Sequence, residues 1–170
     1  TDDGTITLNI PVNGTITTVR LSPSAMSTSG DLTFNDANDS FLVNTAGNYF
    51  IAYSLTAETN AALKLSALGG DVEMWISVQK TSGGVISQLG AVPLNLSNSI
   101  GFDQPTLTSL VNGSGLMVAA LLPNDTIKLM VYVNDSGEGG AMSQKFSMIM
   151  HGTPDLNINN GGVLALIRIP

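Results

Sequence analysis

The single histidine, His151, ends an apolar run and is followed by Gly152. A Ser-His-Asp relay needs a serine and a carboxylate brought in by other segments, and nothing in the sequence points to such partners. A surface or interface histidine is the expectation. Asp71 and Glu73 lie two apart, which in a strand places both on one face. A carboxylate pair can do general acid–base work, as in glycoside hydrolysis. More often it is a solvated strand edge. Trp75 and Gln79 share that face by the same alternation; a tryptophan there is more often packing than a sugar platform, and Glu73, Trp75 and Gln79 are the candidate set should a carbohydrate bind.

The stretch Asp31, Asn35, Asp36, Asn38, Asp39 is rich in carboxylate and amide oxygens. Hard cations take several oxygen ligands, which makes Asp36, Asn38 and Asp39 a calcium candidate. The spacing is not that of an EF-hand loop, and Asx residues are ordinary turn formers. The run Asn134-Asp135-Ser136-Gly137-Glu138 is a weaker version of the same thing. Glycosylation-type sequons stand at Asn13, Asn38, Asn95, Asn112, Asn124 and Asn134, mostly in turn-like contexts. No glycine motif that cradles phosphate is present. With no cysteine, thiol catalysis, disulfides and thiolate zinc sites are excluded.

The elements that would carry these residues read as strands. Alternation with period two dominates the chain. It runs through Thr5–Ile10, through Thr15–Leu21 with a phase change at Thr17-Thr18 that predicts a bulge, and through Gly47–Thr56. It continues through Asp71–Thr81, Thr126–Asn134, Gln144–His151 and Gly162–Ile169. Tyr49, Ile51, Tyr53 and Leu55 share a face, with Phe50, Ala52 and Ser54 opposite. Turn signals stand at Asn13-Gly14, Ser82-Gly83-Gly84, Asn112-Gly113 and Pro123-Asn124-Asp125, among others. Ala57–Leu68 is the one stretch with some helical character. Short strands with glycine-rich turns predict an all-β sandwich or barrel, in one domain spanning 1–170. Because the chain starts at Thr1, a processed or truncated piece of a longer protein is expected.

The composition is unusual beside this pattern. Of 170 residues, 43% are hydrophobic and only 11% charged, with 6 Lys+Arg against 13 Asp+Glu. Six dispersed cations do not make a nucleic-acid surface, and no run approaches the ~20 apolar residues of a membrane helix. A solitary domain spends more charge than this on its surface. Two segments concentrate the apolar excess. Gly162–Ile169 reads G-V-L-A-L-I-R-I and Leu116–Leu122 reads L-M-V-A-A-L-L, both apolar on both faces. A second sheet covers one face of such a strand; a neighbouring subunit is the simplest cover for the other. Leu116, Val118, Val163, Leu164, Leu166, Ile167 and Ile169 are the interface candidates.

The run Asp39-Ser40-Phe41-Leu42-Val43-Asn44-Thr45-Ala46-Gly47-Asn48-Tyr49-Phe50-Ile51-Ala52-Tyr53 resembles the signature of the C1q/TNF-like jelly-roll superfamily. Leu121-Leu122-Pro123-Asn124-Asp125-Thr126-Ile127-Lys128-Leu129 resembles its "L-x-x-G-D-x-(I/V)-x-L" turn and strand. Gly161-Gly162-Val163-Leu164-Ala165-Leu166-Ile167 resembles its closing strand. The ordered set covers the chain from about Thr5 to Pro170. Low aromatic content, Thr/Asn/Gly-rich surfaces and missing cysteine look most like the bacterial branch, which includes the C-terminal heads of collagen-like glycoproteins on the spore exosporium. Asn124-Asp125 in place of Gly-Asp, and 5% aromatic residues, argue against a complement or cytokine role.

The resemblance implies a two-sheet antiparallel jelly-roll sandwich assembling as a homotrimer, with the terminal strand near the threefold axis. It implies a non-enzymatic structural and adhesive head capping a filamentous, collagen-like protein outside a bacterial cell or spore. A host-protein- or glycan-binding tip of a pilus or phage fibre is the alternative. Some C1q-like relatives bind calcium, the one cofactor the resemblance brings to Asp36, Asn38 and Asp39. Neither nucleic acid nor membrane insertion is expected.

Overall fold

In the computed structural model, residues 6–10, 13–21, 30–59, 72–97, 109–135, 146–150 and 162–170 are described. They form twelve strands: β1 (Ile6–Ile10), β2 (Asn13–Thr18), β3 (Leu32–Asn35), β4 (Ser40–Val43), β5 (Gly47–Thr59), β6 (Val72–Ser82), β7 (Val85–Pro93), β8 (Asn95–Ser97), β9 (Ser109–Leu121), β10 (Thr126–Asp135), β11 (Phe146–Met150) and β12 (Gly162–Ile169). One sheet runs β1-β11-β5-β9-β8, with β12 also on β5; the other runs β3-β4-β10-β6-β7, with β2 also on β10. All the pairings are antiparallel.

Each sheet is built round one long strand. β9 lies along one edge of β5, while β12 and β11 share the other edge end to end. β10 is the counterpart, with β6 on one edge and β4 and β2 sharing the other. The chain crosses between sheets from β1 to β2, β4 to β5, β5 to β6, β7 to β8, β9 to β10 and β10 to β11. This is the jelly-roll sandwich that the sequence resemblance implies. The core fills the space between sheets with the alternating residues read from the sequence. Tyr49, Ile51, Tyr53 and Leu55 of β5 are buried against Met74, Ile76 and Val78 of β6 and Ile127, Leu129 and Val131 of β10.

Local chemistry explains the turns. Gly83 and Gly84 have φ of +54° and +82° and close a two-residue hairpin between Ser82 and Val85. A loop with both φ values positive matches strand twist, and glycine adopts it without a Cβ penalty. Between β9 and β10, Asn124 has φ +71°. Asparagine is among the few other residues that tolerate that region, so the turn forms here without a glycine. The buried Asp125 carboxylate accepts the Leu122 amide at 2.9 Å, and the Asn124 amide donates to the Val43 carbonyl at 2.8 Å.

Several sequence expectations are corrected. Asn112-Gly113 is not a turn but lies within β9, with Gly113 opposite Leu55. A Cβ there would meet Leu94 Cδ2 at 2.9 Å and the Pro93 carbonyl at 3.0 Å, so the glycine serves close approach of β7–β8 rather than chain reversal. Asn13-Gly14 likewise opens β2, and the bulge falls between Asn13 and Ile16 rather than at Thr17-Thr18. Ala57 continues β5 as strand through Thr59; residues 60–68 of the stretch with helical character lie outside the described residues. Strands β3, β4, β7 and β8 had no counterpart among the strands read from the sequence. β7 breaks alternation because Leu89 is extra at a register shift opposite Val78/Gln79, and it packs on the core.

Candidate functional site

The two faces of β12 have different fates. Leu164 is buried, opposite Tyr53, and Leu166 packs against the core, opposite Ile51. Val163, Ile167 and Ile169 point out of the sandwich. β9 divides in the same way: Met117 and Ala119 pack on the core and Leu121 is buried, whereas Leu116 and Val118 are 71% and 60% exposed. Of the seven interface candidates, Leu164 and Leu166 are therefore used within the chain's own core. Leu116, Val118, Val163, Ile167 and Ile169 lie on the open face.

Register brings these five residues together. Ile167, Phe50 and Val118 form one cross-strand row; Ala165, Ala52 and Leu116 form the next. Ile169 lies in the row beyond with Asn48 and Ala120, and Val163 in the row on the other side with Ser54 and Ser114. From Val163 to Ile169 at ~3.4 Å per residue, the strip is about 20 Å long and about 10 Å wide across three strands. That approaches the few hundred Å² at which an apolar patch on a monomer usually marks an interaction site. No charged side chain lies in these rows. Phe50 is the member the sequence reading left out; the signal was its place on the β5 face opposite Tyr49 and Tyr53. Beyond Ser54 and Ser114 the face turns polar, and Ser54, Thr56, Asn95, Asn112 and Ser114 line an open concavity.

The end of β12 is fixed by Arg168, which lies across Gly47: a Cβ on that glycine would meet Arg168 Nε at 2.8 Å. Its guanidinium reaches Asp31 at 3.6 Å. Nearby, the buried Tyr49 hydroxyl donates to the Thr45 carbonyl at 2.6 Å. Burial pushes the Tyr49 phenol above its ordinary value, the Asp31 charge adds to this and Arg168 opposes it. Burial alone raises Tyr53.

The oxygen-rich stretch is the turn between β3 and β4. Asn35 Oδ1 accepts the Ala37 amide at 3.1 Å, an Asx turn. Asp39 has φ +47° and its Oδ1 accepts the Leu21 amide at 3.1 Å. Asp31 is taken by Arg168. Asp36 and Asn38 line an open concavity together with Phe34, Ser40 and Lys128. The structure thus employs Asp39 in tying the turn to Leu21 and places a lysine in the same concavity as the other two calcium candidates. Among the described residues, no group of three or more His, Cys, Asp or Glu is placed to hold a metal ion.

Trp75 lies on the outer face of β6, 39% exposed, opposite Tyr132 of β10 and Pro93 of β7. Gln79 is on the same face, opposite Lys128 and Gln88. Glu73 is in β6 opposite Asn134, but its side chain lies outside the described residues. Asp71, His151 and the run 136–138 also lie outside them.

No family model matches the chain, and no curated protein matches it. Among solved structures, murine APRIL at pH 8.5 is 16% identical with a TM-score of 0.41, covering 87% of this chain and 98% of that chain. Murine APRIL at pH 5.0 is 17% identical with a TM-score of 0.42, covering 85% of this chain and 95% of that chain.

Proposed function

We propose that residues 1–170 form one non-enzymatic jelly-roll head that assembles as a homotrimer through the outer face of β12, β5 and β9. In this reading it caps a filamentous, collagen-like protein on a bacterial cell or spore surface and serves a structural and adhesive role. The observation that carries the assembly is the strip of Phe50, Leu116, Val118, Val163, Ile167 and Ile169, apolar and open in a single chain. Burying it against two further copies removes from water the apolar surface that makes 43% hydrophobic and 11% charged residues unusual for one chain. The threefold arrangement, the stalk and the bacterial setting come from the sequence resemblance.

Light scattering on the purified 170-residue chain at micromolar concentration tests the assembly. Three times the 17.6 kDa chain mass is expected, and a monomer overturns the proposal. The stalk is tested separately by the residues encoded before Thr1. Gly-X-Y repeats there are expected, because only glycine fits every third position of a collagen helix. A different architecture upstream removes the stalk while leaving the trimer untouched.

A further inference from the structure

On the sheet opposite the proposed assembly face, register places Ile16, Tyr132, Trp75 and Pro93 side by side on β2, β10, β6 and β7. With strands ~4.8 Å apart, this row is about 14 Å long, the span of two to three linked sugar rings. Ile16 is 53% exposed and Trp75 39%. Cross-strand aromatic pairs also stabilise sheets, but a purely structural pair gains most by covering itself, and here the indole stays open.

The surroundings set the ligand's chemistry. Two rows along, β10, β6 and β7 carry Lys128, Gln79 and Gln88, and in the row between Met130 and Ser77 are buried and Ala91 is exposed. These three rows contain one cation and no carboxylate, and on the far side of the Trp75 row Glu73 of β6 stands opposite Asn134 of β10. Amides that both donate and accept, beside flat apolar rings, suit a neutral polyol whose hydroxyls bond at its edge and whose C–H face stacks. A polyanion would want clustered cations, and a protein partner a broader apolar centre than this single row.

We infer that this row is a binding site for a neutral oligosaccharide. Trp75 and Tyr132 stack on successive sugar rings, Pro93 and Ile16 extend the platform, and Gln79 and Gln88 take the hydroxyls. Because the row is on the other sheet, the inference stands whether or not the chain assembles.

Trp75 is the sole tryptophan, so its fluorescence reports on the site directly. The probes are cellohexaose, maltohexaose, mannohexaose and chitohexaose, titrated to millimolar concentration into the full chain. At least one is expected to blue-shift or quench the emission saturably. Calorimetry with the same sugar is expected to show binding about tenfold or more weaker in Tyr132→Ala, and lost in Trp75→Ala, with unchanged circular dichroism. Ile167→Asp is expected to bind as wild type. Silence with all four sugars overturns the inference, as does binding that survives Trp75→Ala. A change of mass in Trp75→Ala also overturns it, since the row would then be a contact between copies.

Discussion

Ile167→Asp distinguishes an assembly face from a fold face. Ile167 is 62% exposed in the single chain and lies in a row with Phe50 and Val118. Full burial of an isoleucine is worth about 1.5–3 kcal/mol, so covering its open part contributes about 1–2 kcal/mol per copy, or about 3–6 per trimer. At 1.4 kcal/mol per tenfold, loss of that burial alone weakens trimerisation by about 10²–10⁴-fold. The aspartate adds the cost of three carboxylates brought together out of water without partners. The expected result is a monomer in sedimentation equilibrium at concentrations where the wild type is trimeric, with strand content by circular dichroism retained. Leu164→Ala is the control, only three residues away but buried opposite Tyr53. It is expected to cost about 2–5 kcal/mol of chain stability. An Ile167→Asp variant that sediments as wild type refutes the placement of the interface. An Ile167→Asp variant that unfolds refutes the claim that this face lies outside the core.

Gly115→Ala is expected to destabilise, because its Cβ would collide with the buried Tyr53 ring. Overpacking of this kind costs about 1–3 kcal/mol, read as a lower denaturant midpoint; equal or greater stability counts against the packing described. Asp125→Ala leaves the Leu122 amide without its acceptor, and a loss of about 1.5–3 kcal/mol is expected in the same assay. Alkaline stability should reveal Tyr49 and Tyr53. Their folded values lie above the unfolded value of about 10, so the stabilisation is complete below pH 10 and is lost as pH rises beyond it. Tyr49→Phe is expected to flatten that loss in chemical denaturation from pH 9 to 11, and an unchanged slope would exclude Tyr49 as its source.

Much of the strand framework was legible locally. Tyr49, Ile51, Tyr53 and Leu55 alternate without interruption, and the face they share is the buried one. β7 was not legible, because the extra Leu89 breaks the period at a bulge whose partner is on another strand. β3 was hidden in the polar run from Asp31 to Asp39, because its own two apolar residues, Leu32 and Phe34, are too few to define a period. Of the candidate residues, Trp75 was picked out by its type and its place on one face of β6 with Gln79. Tyr132, Pro93 and Ile16 became its neighbours only through pairing between segments distant in the chain.

By itself the sequence determined that the chain is built of strands, which residues share a face of each, and that 43% hydrophobic beside 11% charged residues is unusual for one solvated domain. Period-two geometry is a property of the local backbone, and composition needs no fold at all. Only the tertiary structure decided which face of β12 is inside. Leu164 and Ile167 are equally apolar, and the choice follows from where the second sheet packs, which no local pattern records. The same holds for Asn112-Gly113. As an isolated pair it favours a turn, but thirteen paired residues of β5 and β9, and the close approach of Leu94, outweigh that preference. The open strip over β12, β5 and β9 is what the sandwich leaves uncovered once its own core is full.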